Sequence, residues 1–294
     1  MLMRSKLFVP GSRPELFAKA VACDADALSF DLEDAVTKER KGEARLCLAS
    51  FMRDVPANTG KVLVVRVNAV GTPFFEADME AVVGPRLDLV NLPMVEEVDA
   101  IVRAAAVLDR LEKSGREAGR IRILVNIETP KALRKAAELA TAHPRVAGLQ
   151  IGYADLLEPC GIDRSDPAAL AHIRVAVRLA AAEAGVAAYD GAYPVVSDPG
   201  SYQAECEAAR RHGFAGKSCI HPSQVAIANA AFMPKPAEIE RARRILAAAA
   251  EAQAKGVAAY LVEGHMIDEP FLIRARAIVA FADLHASAMR SREA

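Results

Sequence analysis

The feature that most constrains this chain is a repeated alternation. Eight short apolar runs are each followed by a helix-like stretch. The runs are Lys6–Pro10, Ala27–Leu32, Val62–Val67, Leu87–Leu92, Ile121–Ile127, Val146–Ile151, Ala187–Tyr189 and Gly216–Ile220. They are near-continuously apolar rather than alternating, as suits strands buried on both faces of a parallel sheet. The intervening segments read as helices over Pro14–Cys23, to about Met52, Phe75–Val83, Val95–Ser114, Pro130–His143, Asp166–Ala184, Ser201–His212 and Glu238–Lys255. Eight such units over roughly 255 residues match an α/β fold of the (β/α)8 TIM barrel type. An open doubly wound sheet is the alternative. It would want a GxGxxG turn after the first strand, and VPGSRP is not one. Residues 1–256 therefore read as a (β/α)8 catalytic barrel and residues 257–294 as a C-terminal helical extension. The extension holds GHMIDEP and then an amphipathic stretch, Phe271–Met289. It serves either as a lid on its own barrel or as an arm packed on a neighbouring subunit.

Composition narrows the partners. With 37 basic and 38 acidic residues in 294, the chain carries no electrostatic footprint for nucleic acid. No apolar run is long enough to span a membrane, and the N-terminal stretch is too short in its apolar part for a signal peptide. The five cysteines, Cys23, Cys47, Cys160, Cys206 and Cys219, form no CxxC pair. An odd number in a long chain reads as reduced packing thiols in a cytoplasmic protein. Zinc-site spacing is absent.

In a barrel of this kind chemistry gathers at the C-terminal ends of the strands. The sequence puts Glu33, Asp34, Arg66, Asn68, Glu128, Asp155, Asp190 and His221 there. Glu128 closes the fifth strand, and Asp155 follows the sixth by a few residues. Successive parallel strands are usually neighbours, so the two carboxylates sit at the same end of adjacent strands and suit Mg²⁺ with water and an oxygen-rich substrate. The plainer reading is loop solvation and helix capping, which accounts best for Asp34 and Asp190. It does less for Arg66, inside VLVVRVN, where an arginine is rarely buried unpaired. Anion or enolate binding is favoured there over a structural ion pair. His221 in HPSQV is as readily structural as catalytic. Lys217 in GKSC is a minor candidate for attack on a carbonyl.

Seven segments occur in order: RSKLFVPGSRPELFAKA, LSFDLEDAV, VVRVN, LVNIETPKAL, IGYADL, GFAGKSCIHPSQV and GHMIDEP. Together they resemble the HpcH/HpaI aldolase and citrate lyase β-subunit family, with its malyl-CoA and citramalyl-CoA lyases. The resemblance implies a (β/α)8 barrel, trimeric or hexameric assembly, Mg²⁺, and cleavage or formation of acyl-CoA carbon–carbon bonds. It makes Glu128 and Asp155 the metal ligands and Arg66 the group that stabilises the reacting oxygens. Glu33 and Asp34 become acids in the shell around the metal. Asp268 becomes the extension's catalytic aspartate, acting from the adjacent subunit. Phe8, Arg13 and Lys19 would hold the coenzyme A nucleotide, and Asn68 and Pro93 would line the substrate loops. Met94 departs from the family pattern, in which lysine often follows that proline. The expected activity is Mg²⁺-dependent splitting of a 3-hydroxyacyl-CoA into acetyl-CoA and a 2-oxo acid. A malyl-CoA-type thioesterase and a citrate lyase β-subunit working inside a complex are the alternatives.

Overall fold

The computed structural model describes residues 3–113, 120–254 and 259–293. The expected helix ends at Ser114 and Lys255, and the expected domain boundary at 256/257, lie outside the described residues. Eight strands form the sheet: Ser5–Pro10 (β1), Ala27–Asp31 (β2), Val62–Arg66 (β3), Leu89–Leu92 (β4), Arg122–Ile127 (β5), Val146–Ile151 (β6), Ala187–Asp190 (β7) and Gly216–Cys219 (β8). Each pairs in parallel with the next. The ring closes through β1 and β8, with Lys6 opposite Ser218. The expected (β/α)8 barrel is therefore present.

The surrounding helices are Phe17–Ala22 (α1), Lys41–Asp54 (α2), Phe75–Val82 (α3), Val98–Lys113 (α4), Pro130–Arg134 (α5), Ala136–Thr141 (α6), Tyr153–Leu157 (α7), Pro167–Glu183 (α8), Pro199–Arg211 (α9) and Ser223–Ala231 (α10). The single helix expected over Pro130–His143 is two, α5 and α6, which meet at Lys135. That break sets Ala132, Ala136 and Leu139 all against the core. Thr129 caps α5 by accepting from Ala132 N–H at 3.1 Å, as its sequence position suggested. Helix α10 follows β8 directly and packs on β1 and β8, a role the sequence reading had given to the later Glu238–Lys255 stretch.

By contact the chain divides into two compact units, Met3–Phe232 and Met233–Ala294. The second contains Pro236–Ala254 (α11), a hairpin of Tyr260–Val262 (β9) and His265–Ile267 (β10), and Glu269–Glu293 (α12). Its own small core is Ala242, Ile245, Ile267, Leu272 and Ala275. Glu263 and Gly264 join β9 to β10 with φ of 52° and 77°. Two positive φ angles in a two-residue loop are the hairpin turn whose twist matches its strands. No helix among the described residues is long and apolar enough to cross a membrane.

Strand alternation sorts the barrel residues onto two faces. Leu28, Phe30, Leu63, Val65, Ile123 and Val125 face the helices and join the main core. Inside the ring, Met3, Ala27, Val64, Leu89, Leu124 and Tyr189 form an apolar plug. Above it stands a layer of buried polar residues: Lys6, Ser29, Asn91, Asn126, Gln150 and Ser218. At the C-terminal mouth come Asp31, Arg66 and Glu128. The interior thus grades from apolar to polar to charged.

Phe30, fully buried, meets Phe17 and Phe51 at ring-centroid distances of 5.1 Å each. Truncating it removes two aromatic contacts and leaves a hole that a close-packed core cannot fill. Phe30→Ala should cost about 3–5 kcal/mol in urea unfolding.

Candidate active site

A cavity of about 520 Å³ opens at the C-terminal mouth of the barrel, the end where barrel enzymes place their chemistry. Phe8, Asp31, Asp34, Arg66, Glu128 and Asp155 line it, with Asn126, Gln150, Tyr153, Arg164 and Ser218 among the others.

Glu128 extends from the end of β5 and is buried. Two donors fix its carboxylate: the Met94 backbone N–H reaches Oε1 at 2.5 Å, and Asn126 Nδ2 reaches Oε2 at 3.0 Å. Met94 has φ of 51°, a left-handed conformation uncommon for a side chain of its size. Its contribution is the backbone donor that this conformation aims at Glu128, and its side chain is exposed. Gly152 makes room on the other side. A Cβ there would stand 2.6 Å from the Cβ of Glu128, so only glycine fits. Burial, reinforced by Asp155, keeps Glu128 above the usual carboxylate range, against the opposing pull of Met94 N–H and Arg66.

Asp155 lies on the first turn of α7, exposed, on the same cavity wall. The sequence placed it in a loop after β6. The short helix was not anticipated, because five residues are too few for a periodic signal. Tyr153, two residues earlier, anchors α7. Its hydroxyl donates to Asp190 Oδ1 at 2.6 Å, and the Arg164 guanidinium stacks 4.3 Å over its ring.

Arg66 faces the cavity from the end of β3. It binds Asp31 through two hydrogen bonds of 2.8 and 2.6 Å, and its Nη1 lies 2.8 Å from Glu33 and 3.1 Å from Asp34. Burial opposes its charge, yet Asp31 and the other two acids outweigh burial and leave the guanidinium more basic than usual. Asp31 also accepts from Glu33 N–H and Ala35 N–H, so one carboxylate shapes both the arginine and the loop after β2. Burial pushes the Glu33 carboxyl up to about 8, with Arg66 pulling the other way.

The remaining expected residues are dispersed. Asn68 is buried and committed to Asp78 and the Leu32 carbonyl, at 2.6 and 3.0 Å. Neither it nor the buried Pro93 is in the cavity wall. Arg13 and Lys19 are exposed outside the wall, Arg13 paired with Glu15. Phe8 is in the wall. Asp268 belongs to the second unit. Its carbonyl accepts from Phe271 and Leu272 N–H at the start of α12, and its Oδ1 has no hydrogen-bond partner among the described residues. Asp190 is no helix cap. Fully buried, it joins Lys217 at 2.6 Å and Arg174 at 3.1 Å. Lys217 also donates to the Gly191 carbonyl and Glu205, facing the helices rather than the barrel interior, so its amine is committed to these partners. His221 is exposed and accepts from Ser223 N–H at the start of α10.

The sequence reading passed over Asp31, Asn126, Gln150, Arg164 and the Met94 N–H. Strand alternation alone marks the first three as inward-facing. The last two depend on loop conformation and carry no sequence signal.

Among the described residues no set of three or more His, Cys, Asp or Glu side chains converges as a metal cage. Glu128 and Asp155 are two oxygen donors, one buried and one solvated, on one wall of an open cavity. That set fits Mg²⁺, which keeps several positions for water and substrate.

Residues 4–222 match the family described as HpcH/HpaI aldolase/citrate lyase. The chain is 36% identical to the (3S)-malyl-CoA thioesterase of Cereibacter sphaeroides, over 95% of this chain and 94% of that one. It is 32% identical to the citrate lyase subunit beta of Leuconostoc mesenteroides, over 96% and 94%. The structure is similar to that of CitE from Mycobacterium tuberculosis in complex with magnesium, acetoacetate and coenzyme A, with a TM-score of 0.73 at 32% identity. That match covers 95% of this chain and 97% of the other.

Two outcomes follow from the geometry. Gly152→Ala should displace the Glu128 carboxylate and weaken Mg²⁺ or Mn²⁺ binding at least about tenfold by calorimetry, the scale of lost support around a metal ligand. Glu33 supplies a pH effect. Its folded value of about 8 lies above its unfolded value, so the folded state holds the extra proton. Stability from this group is fully present below the unfolded carboxylate range and is lost as pH rises towards 8. In metal-free protein, the Tm of the wild type should fall more steeply between pH 5 and 8 than that of Glu33→Gln.

Proposed function

The chain belongs to the HpcH/HpaI aldolase/citrate lyase family, and on that premise we propose that it is a Mg²⁺-dependent carbon–carbon lyase. The substrate is a 3-hydroxyacyl-CoA of the malyl-CoA or citramalyl-CoA kind, and the products are acetyl-CoA and a 2-oxo acid. The observation that carries this reading is the presence of Glu128, Asp155 and Arg66 on one cavity wall at the mouth of the barrel. A magnesium ion held by the two carboxylates would orient the oxo acid and polarise its carbonyl.

The chain's own residues account for the rest. Cleavage passes the proton of the 3-hydroxyl to water in the open cavity and breaks the bond between C2 and C3. The electron pair passes to the thioester as an enolate, and that carbon then takes up a proton. Arg66 meets the negative charge that develops on the thioester oxygen, which is usually the largest electrostatic contribution to such a step. Asp31 holds the guanidinium in place while the more exposed Asp34 gives way to substrate. Phe8 offers a flat apolar wall beside the thioester.

Asp268 is the proposed acid that protonates the carbon, delivered by the extension of a neighbouring subunit in a trimer or hexamer. The second unit exposes Leu261, Met266, Phe271 and Ile273, apolar surface suited to a partner subunit. Arg13 and Lys19 are the proposed cations for the coenzyme A nucleotide, and Asn68 and Pro93 support the substrate loops from behind. A hydrolytic outcome is the second reading, favoured by the likeness to a malyl-CoA thioesterase. There the same cavity would admit water to the thioester.

Incubation with malyl-CoA or citramalyl-CoA and Mg²⁺, read by mass spectrometry, separates these readings. Acetyl-CoA with glyoxylate or pyruvate supports the lyase. Free CoA with the hydroxy acid and no acetyl-CoA selects the thioesterase. Turnover of neither overturns both for the isolated chain. Arg66→Met should lower kcat about 100–1,000-fold with the fold retained.

A further inference from the structure

Asp155 stands on a slight support. Helix α7 is five residues long, too short to hold its shape without tertiary contacts. No side chain caps its start. Among the described residues, the one side-chain hydrogen bond made from α7 is that of the Tyr153 hydroxyl to Asp190 Oδ1, at 2.6 Å. Asp190 in turn accepts from Lys217 at 2.6 Å and from Arg174 twice at 3.1 Å. Glu205 completes the cluster, accepting from Lys217 at 2.9 Å and from Arg164 at 2.6 and 2.9 Å. The Arg164 guanidinium then returns to α7, lying 4.3 Å over the Tyr153 ring.

The Tyr153 ring is therefore held on three sides. Its hydroxyl is bonded, one face is covered by Arg164, and Gly191 closes on its edge. A Cβ at Gly191 would stand 2.6 Å from Tyr153 Cδ2, so the fit there requires glycine. Buried charges are a costly route to stability, and apolar packing of the same volume often does as well or better. What the charged groups supply, and apolar packing does not, is direction. Asp190 ends β7, Lys217 is in β8, Arg174 on α8 and Glu205 on α9, so four elements converge on one tyrosine. Tyr153 lies two residues before Asp155, and both line the cavity.

We propose that Tyr153 is a positioning residue for the metal site: tied by its hydroxyl to the Asp190–Lys217–Glu205 cluster and clamped by Arg164, it fixes the orientation of Asp155. The inference rests on the reading of Asp155 as a metal ligand. It adds that the divalent-ion affinity of the cavity is set in part by groups that are not ligands of the ion. Arg164 gives the proposal a sign. It is a cation in the wall of the same cavity as the two carboxylates, so its removal, by charge alone, would tighten cation binding. Its removal as a clamp loosens Asp155 and weakens cation binding.

The test is Mn²⁺ binding by calorimetry, with the electron paramagnetic resonance spectrum of the bound ion, in the wild type, Tyr153→Phe, Arg164→Gln and Asp155→Ala. Phenylalanine keeps the ring and its packing and removes only the hydroxyl. Tyr202→Phe is the control, since it loses a buried hydroxyl that meets Cys219 at 3.1 Å rather than the Asp190 cluster. Tyr153→Phe should weaken Mn²⁺ binding about tenfold, the scale of lost support around a metal ligand, and should broaden the spectrum of the bound ion. Arg164→Gln should weaken binding too, and Tyr202→Phe should leave both readouts unchanged. Wild-type affinity or an unchanged spectrum in Tyr153→Phe overturns the positioning role, as does an equal loss in Tyr202→Phe. Unchanged or tighter binding in Arg164→Gln overturns it as well. In each of these cases the metal reading stands as long as Asp155→Ala loses Mn²⁺. A wild type that does not bind Mn²⁺, or an Asp155→Ala protein that binds it as the wild type does, overturns the metal reading and the positioning role together. Should Tyr153→Phe not fold, the sign of the Arg164→Gln change decides.

Discussion

A single buried carboxylate sets the terms for the rest of this site. Glu128 follows a strand at the mouth of the barrel and is itself buried, where an ionised acid is expensive unless donors or a cation surround it. The protein supplies two donors, and both impose demands elsewhere. The Met94 N–H is available only because the chain after Pro93 turns through a left-handed conformation. The opposite flank is open only because residue 152 has no side chain. Local strain kept at one residue and a missing Cβ at another are intelligible as the means of holding one oxygen pair in one orientation.

Charge balance at the mouth points the same way. Asp31, Glu33, Asp34 and Glu128 gather around Arg66, Asp155 acts on Glu128 from the other side of the pair, and Lys6 lies near Arg66, Asp31 and Glu128. Arg66 answers Asp31 at the end of β2 and Glu33 and Asp34 in the loop after it, and makes no ion pair with Glu128 after β5 or Asp155 on α7 among the described contacts. Burial is the main reason the Glu33 and Glu128 carboxyls are raised, and their acidic neighbours add to it. A divalent cation between Glu128 and Asp155, as proposed, would offset negative charge there without rearranging the arginine cluster.

Much of this was legible in the string of residues, for definable reasons. The barrel followed from eight apolar runs, because burial on both faces leaves a strand with no polar side. Glu128 and Asp155 followed from the rule that neighbouring parallel strands end together. What escaped depended on conformation over a few residues. Helix α7 is too short to show a period. The β9–β10 hairpin turns on Glu-Gly, a weaker signal than Asn-Gly. Asp190 read as a helix cap because a strand-end acid before glycine looks the same whether it meets water or two buried cations. Asn68 read as a loop residue near substrate, yet Asp78, a helical acid ten residues on, claims it.

The two lysines of β1 and β8 show why such errors have a physical floor. Lys6 and Lys217 both stand in short strands beside small polar residues, and neither string distinguishes them. The register does: Ser5 lies opposite Lys217, and Lys6 lies opposite Ser218. A side chain in a strand changes face with every residue, so these lysines, on adjacent strands one step out of phase, point to opposite sides of the same wall. Lys217 meets Asp190 and Glu205 among the helices and is neutralised there. Lys6 meets the barrel axis, where the described residues offer it no hydrogen-bond partner. The cation with two carboxylate partners braces the scaffold that holds Tyr153 and hence α7. Which lysine takes which role is decided by closure of the ring, a contact between residues more than two hundred positions apart, and no local pattern can report it.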